Sequence, residues 1–257
     1  MCTLLLAYEV HPRYHLVLAA NRDEDYHRPT AVADFWEDAP RLFAGRDLVH
    51  GGTWLGITKT GRIAALTNYR EPQPSTHGPS RGNLVSRFLN EETGAEDYVE
   101  RLRREGPYRG YNLVMGDRDG LYHYSNKSDL LVRLAPGIHG LSNNLLNTPW
   151  PKVVQGKASL ARVLAAENFS TEDLFVILAD SKQAPDEQLP DTGVGLDLER
   201  LLSPIFIKSE RYGTRSSTVL LVNTDGKATF VERSFDGRGA RDTQVVFEWF
   251  PRKTKDR

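Results

Sequence analysis

Cys2-Thr3-Leu4-Leu5-Leu6-Ala7-Tyr8 and Tyr14-His15-Leu16-Val17-Leu18-Ala19-Ala20 are two apolar runs on either side of Val10-His11-Pro12-Arg13. Apolar runs of this length around a proline-containing turn predict a β-hairpin. Pairing symmetric about Pro12 places Cys2 opposite Arg22, and a slip of a residue or two still brings Asn21-Arg22-Asp23-Glu24 beside it. Four consecutive polar residues ending an apolar strand are unusual in a core hairpin. What they face is the only cysteine of the chain.

Cys2 follows Met1, and a small second residue permits removal of the initiator Met. Cys2 would then carry the α-amine as well as the thiol, with ordinary pKa values of about 7.7–8.0 and about 8.5. A nucleophile and a base on one residue are what hydrolases with an N-terminal nucleophile use. An arginine beside the thiol favours the thiolate and the neutral amine. An aspartate behind it can hold the arginine fork or bond the amine. The same residues also fit a small hydrophobic cysteine near a terminus beside a solvated turn.

A second hairpin is predicted from 53–58 and 62–68 around Lys59-Thr60-Gly61, with Gly51-Gly52 before it permitting close backbone approach or a positive φ. It ends in Asn68, whose amide either donates to a developing oxyanion or sits in a turn. Residues 71–79 hold three prolines and read as a loop. Helical stripes follow at 82–90 and 95–105, then strands at 111–115, 121–124, 130–134 and 138–141. The last of these runs into Ser142-Asn143-Asn144, again an oxyanion site or a turn. Helices are expected at 149–164 and 171–179, the latter opened by Ser170 with Asp173. Residues 183–195 are polar and proline-rich, a loop able to border a site as a lid. The final strands are 214–222, 229–235 and 244–250, with Asp225-Gly226 as a hairpin turn. Arg215 opens the first of them, placed either to clamp a carboxylate or phosphate or to brace the sheet.

The 257 residues are 39% hydrophobic and 26% charged, ordinary for a globular enzyme, and no linker divides them, so one domain over 1–257 is expected. Lys and Arg total 33 against 34 Asp and Glu, a balance that argues against a nucleic-acid or anionic-membrane surface. A single cysteine excludes an intramolecular disulfide and a cysteine cluster for zinc. No stretch approaches the roughly 20 apolar residues of a membrane span, and no signal peptide is read, so a cytoplasmic location is expected. His11, His15, His27, His50, His77, His123 and His139 have no ligand spacing; surface or hairpin positions and no metal site are expected. The Asp-rich turn 116–120 lacks calcium-loop spacing.

Ala19-Ala20-Asn21-Arg22-Asp23-Glu24 followed by His27-Arg28-Pro29 resembles the signature of the NRDE family, also called the Transport and Golgi organisation protein 2 family. Blocks at 51–57, 65–70, 111–113, 140–143 and 212–219 match in order, so the resemblance runs nearly end to end. It implies an α+β, N-terminal-nucleophile-hydrolase-like fold: a four-layer α-β-β-α sandwich of two mainly antiparallel sheets. Members of the family have been tied to secretory-pathway organisation, lipid and coenzyme A metabolism, and haem handling. The polar spacing also resembles the choloylglycine hydrolase and penicillin V acylase family. That likeness implies catalytic roles for Cys2, Arg22, Asp23, Asn68, Asn143 and Arg215. The departure is that Arg22 and Asp23 are adjacent, so a regular strand sends one of them to the other face.

Two functions follow. In the first, Cys2 is the nucleophile of a hydrolase of amide or thioester bonds, Asn68 and Asn143 hold the oxyanion, and no cofactor is used. In the second, the same scaffold is a carrier without catalysis that binds haem or an acyl-coenzyme A or lipid. In either, the partner is a small molecule, and Asn21, Glu24, His27 and Trp54 are the candidates to contact it.

Overall fold

The first hairpin pairs in the symmetric register. In the computed structural model, which describes residues 2–72, 78–166, 168–235 and 240–248, strand β1 (Cys2–Tyr8) runs antiparallel to β2 (Tyr14–Asp25). Cys2 lies opposite Arg22, Leu4 opposite Ala20 and Tyr8 opposite Leu16. Met1, His77 and Phe250 lie outside the described residues.

The chain continues through β3 (Thr30–Trp36), β4 (Ala39–Asp47), β5 (Leu55–Thr58), β6 (Ile63–Asn68), α1 (Gly82–Asn90) and α2 (Ala95–Arg104). Then come β7 (Tyr111–Asp117), β8 (Gly120–Ser125), β9 (Leu130–Arg133), β10 (Gly137–Leu141), α3 (Pro151–Leu164) and α4 (Thr171–Leu178). It closes with α5 (Leu196–Leu202), β11 (Tyr212–Asn223), β12 (Lys227–Phe235) and β13 (Ala240–Glu248). One sheet has the order β10-β1-β2-β11-β12-β13, the other β3-β4-β5-β6-β7-β8-β9. Every recorded pairing is antiparallel.

Alternation sets the layers. Even-numbered Leu4, Leu6, Leu18 and Leu220 of the first sheet meet Phe43, Ile57 and Val114 of the second in the central core. Odd-numbered Leu5, Val17 and Val219 face outward and are covered by Leu160 of α3 and Leu174 of α4. Leu84 and Phe88 of α1 and Tyr98 of α2 cover the outer face of the second sheet over Leu42, Ala64 and Leu113. The two helical pairs therefore lie on opposite faces of an α-β-β-α sandwich, as the family resemblance implies. Ser170 and Asp173 form a full capping box at the start of α4.

Both readings of Gly51-Gly52 hold. Gly51 has φ +77°, and a Cβ on Gly52 would lie 2.5 Å from the Gly82 backbone, so glycine lets β5 enter against the start of α1. Strands β3 and β4 are additions to the sequence reading, and so is α5.

Glu232 of β12 points into the central core, 1% exposed, and accepts from the Ala33 amide at 2.9 Å. It thereby ties the first sheet to β3. Burial pushes its carboxyl from the ordinary 4.5 up to about 7. An acid with a raised folded pKa contributes stability that is full below 4.5 and lost as pH rises through 7. Glu232→Gln keeps the acceptor without the charge. It should gain stability over the parent by roughly 3 kcal/mol on going from acid to pH 8. Urea unfolding at the two pH values checks this; a difference that stays constant with pH would refute it.

Candidate functional site

Cys2 is the first described residue of β1, where the strand pair opens onto a cavity of about 680 Å³, within the usual range for small ligands. Cys2, Arg22, Asp23, Glu24, Trp54 and Asn68 all line it. Part of Cys2 reaches the cavity, while the protein around its sulfur pushes the thiol up by burial, with the Arg22 charge opposing.

Adjacent Arg22 and Asp23 do leave on opposite faces. Arg22 turns between the sheets, with its guanidinium 4.2 Å from the Trp54 ring centroid and 3.6 Å from Glu24 Oε2. Trp54 is thus the platform for Arg22 as well as cavity wall. Asp23, 1% exposed, turns toward α3 and accepts from Thr214 Oγ1 at 2.8 Å. Burial raises its carboxyl, and the buried Lys152 opposes that rise.

The two asparagines meet, but differently from expectation. Asn68, at the end of β6, lines the cavity. Asn143 is fully buried, and its Nδ2 donates to the Asn68 carbonyl at 2.8 Å. Its own carbonyl accepts from the Arg70 amide at 2.8 Å. Ser142 Oγ lies 3.2 Å from both the Cys2 carbonyl oxygen and Asn143 Oδ1. Asn143 therefore fixes the backbone of Asn68 relative to that of Cys2, and only Asn68 of the two presents itself to the cavity.

Three expected site residues are placed elsewhere. Arg215 is not among the described residues lining the cavity. It sits in a bulge between Thr214 and Ser216, an extra residue without a β2 partner, and donates to the Phe235 carbonyl. Asn21, on the outer face of β2, donates to the carbonyls of Leu178 and Ile205 at 2.8 and 2.9 Å and accepts from Ser217, so it ties the sheet to α4. His27 is exposed, with Nδ1 3.2 Å from Asp25. His123, expected near the surface, is buried with Nε2 3.3 Å from Asn112 Oδ1, and burial brings its pKa down to about 4.

Other side chains around the site were not singled out by sequence reasoning. Tyr212 donates to the Asp23 carbonyl at 3.1 Å, and burial raises its phenol. Arg70 pairs with Glu199 of α5, both nearly inaccessible, and lies 4.6 Å from the Trp150 ring centroid. Lys152, 4% exposed, donates to the Leu202 carbonyl at 2.9 Å, and burial lowers its pKa to about 8. Leu198 and Leu202 of α5 and Val194 before it complete an apolar wall. Among the described residues no His, Cys, Asp and Glu group could hold a metal ion, and no helix is long and apolar enough to cross a membrane.

Residues 1–237 match the family model described as Transport and Golgi organisation 2. The chain is 38% identical over 259 residues to the Transport and Golgi organization protein 2 homolog of Bos taurus, covering 92% of this chain and 94% of that one. To the Homo sapiens homolog it is 37% identical over 257 residues, covering 91% and 93%. Among solved structures, the C2A mutant of conjugated bile acid hydrolase from Clostridium perfringens superposes with a TM-score of 0.55 at 8% identity, covering 99% of this chain and 98% of that one. That likeness is one of fold, the fold of the N-terminal-nucleophile hydrolases.

Proposed function

The chain belongs to the Transport and Golgi organisation 2 family, and on that footing we propose that it is an N-terminal cysteine hydrolase of amide or thioester bonds. The observation that carries this reading is the β1–β2 register, which seats Cys2 opposite Arg22 at the open end of a cavity.

The thiol is raised by burial, so the nucleophile is made at the moment of attack. Once Met1 is removed, the Cys2 α-amine takes the thiol proton and Sγ adds to the substrate carbonyl carbon. The carbonyl oxygen becomes an oxyanion that accepts from the Asn68 side-chain amide. Collapse expels the leaving amine or thiol, which receives the proton from the α-ammonium, and leaves an acyl thioester on Cys2. Water then attacks that thioester, with the same amine as base, and the acid product departs. Arg22 and Asp23 bracket the N-terminal residue from two faces, and Asn143 acts as a positioning residue through the Asn68 backbone.

Asn68→Ala removes the oxyanion donor and keeps the carbonyl that Asn143 binds. It should lower kcat for short acyl thioesters by about 10²–10³-fold, as other oxyanion donors do, with an unchanged unfolding midpoint. Thiol release kinetics measure it; a loss of only a few-fold would remove Asn68 from this role.

The carrier reading is favoured by one observation, the burial that disfavours a standing thiolate. Leu66, Leu198 and Leu202 would take an acyl chain, and His50 would offer a nitrogen to hold a haem. It requires neither Met1 removal nor an acyl adduct.

A further inference from the structure

Arg81 immediately precedes α1 and lines the same cavity as Cys2. Its guanidinium is held in place by donation from Nη1 to the Gly110 carbonyl at 2.8 Å. No carboxylate of the described residues forms an ion pair with it. The cavity's carboxylates on this side are already engaged. Glu71 accepts from Lys127 at 2.8 Å and from the Gly110 amide at 3.2 Å. Asp47 accepts from Arg28 at 2.7 Å, and Glu24 lies within 3.8 Å of both Arg22 and Arg28. Burial disfavours the charge on Arg81, and so does Arg109, which lines the cavity too; Cys2, Glu71 and Glu24 favour it without pairing with it. The first turn of α1 carries no acidic residue, so the positive end of that helix adds to the same sign.

A partly buried guanidinium beside a second one, at the wall of a cavity, is stabilised by an anion entering the cavity. We propose that the substrate of this site is an anion whose carboxylate or phosphate, remote from the scissile carbonyl, is bound by Arg81. This rests on the hydrolase reading for the scissile bond and on the cavity wall for the charge. Arg81 is a specificity residue. Its fork offers two parallel donors to either kind of anion while Nη1 keeps its bond to Gly110.

Three p-nitroanilides of matched length separate the possibilities: pentanoyl, glutaryl and 4-phosphonobutanoyl. Binding is measured by calorimetry on the Cys2→Ala protein, which needs no chemistry, and turnover by p-nitroaniline release from the parent. One charge-assisted pair should favour an anionic probe over the neutral one by about 10- to 100-fold in affinity. Arg81→Gln should collapse that ratio in binding and in kcat/KM alike. Tighter binding of glutaryl or of 4-phosphonobutanoyl supports the proposal, and their order names the anion. Equal affinity for charged and neutral probes, binding of none, or a ratio that survives in Arg81→Gln overturns it. Failure of the hydrolase reading looks different: no p-nitroaniline is released from any probe, while the Arg81-dependent affinity ratio persists.

Discussion

Cys2→Ala should abolish acyl turnover and leave the fold intact. Alanine at position 2 still permits Met1 removal, so the variant keeps the α-amine and loses the sulfur alone. Loss of a serine-protease nucleophile lowers kcat on the order of 10⁶-fold, and a comparable loss is expected here. The stability change should be small, because Cys2 is a partly exposed residue at a strand end rather than part of the central core. Cys2→Ser should keep at most a trace of activity, a hydroxyl being far less acidic than a thiol. Retaining Met1 should be as damaging as losing the sulfur, since the amine then sits one residue away. Thioester turnover by the three proteins, with circular dichroism melts alongside, tests the set. A Cys2→Ala protein that turns over at the parental rate would end the hydrolase account.

Glu199→Ala should lower the unfolding free energy by about 3–5 kcal/mol, the scale seen when one partner of a buried ion pair is removed. Arg70 and Glu199 are 3% and 4% exposed, and Glu199 also accepts from the Thr192 amide at 3.0 Å. Removing the carboxylate leaves the buried Arg70 guanidinium without its ion-pair partner, over the Trp150 face. The Arg70 amide donates to the Asn143 carbonyl, so the damage reaches the residues that set Asn68. The double variant Arg70→Met/Glu199→Leu should recover most of the loss, because it removes the stranded charge. Chemical denaturation of the three variants decides; a single variant within 1 kcal/mol of the parent, the scale of an exposed pair, would contradict the pair's role.

The sandwich came from the family resemblance, while the first hairpin was legible in the residues themselves. β1 and β2 have unbroken apolar runs, so their register about Pro12 could be counted, and the Cys2–Arg22 pairing came with it. β3 and β4 were not read, because Asp34 and Arg41 interrupt their apolar pattern and the Glu37-Asp38 turn between them lacks a Gly or Pro signal; β3 is the edge strand of its sheet. Of the two placements read for Arg215, the bulge favours bracing the sheet: one inserted residue redirects the side chain, and no period reveals it. Asn143 was read as an oxyanion donor, whereas its amide is bound to the Asn68 carbonyl, a hydrogen bond across 75 residues that the sequence does not display. Lys152 and Glu199 look like solvated helix charges in the sequence. Only the packing of α3 and α5 against the cavity buries them.

The central claim is that Cys2, freed of Met1, becomes acylated. Intact-mass spectrometry before and after incubation with a short acyl thioester tests it most directly. The account predicts a mass lacking Met1, then one added acyl group localised to Cys2 by peptide mapping, formed faster than on free cysteine and absent from Cys2→Ala. A protein that keeps Met1, or labels no faster than free cysteine, would contradict it.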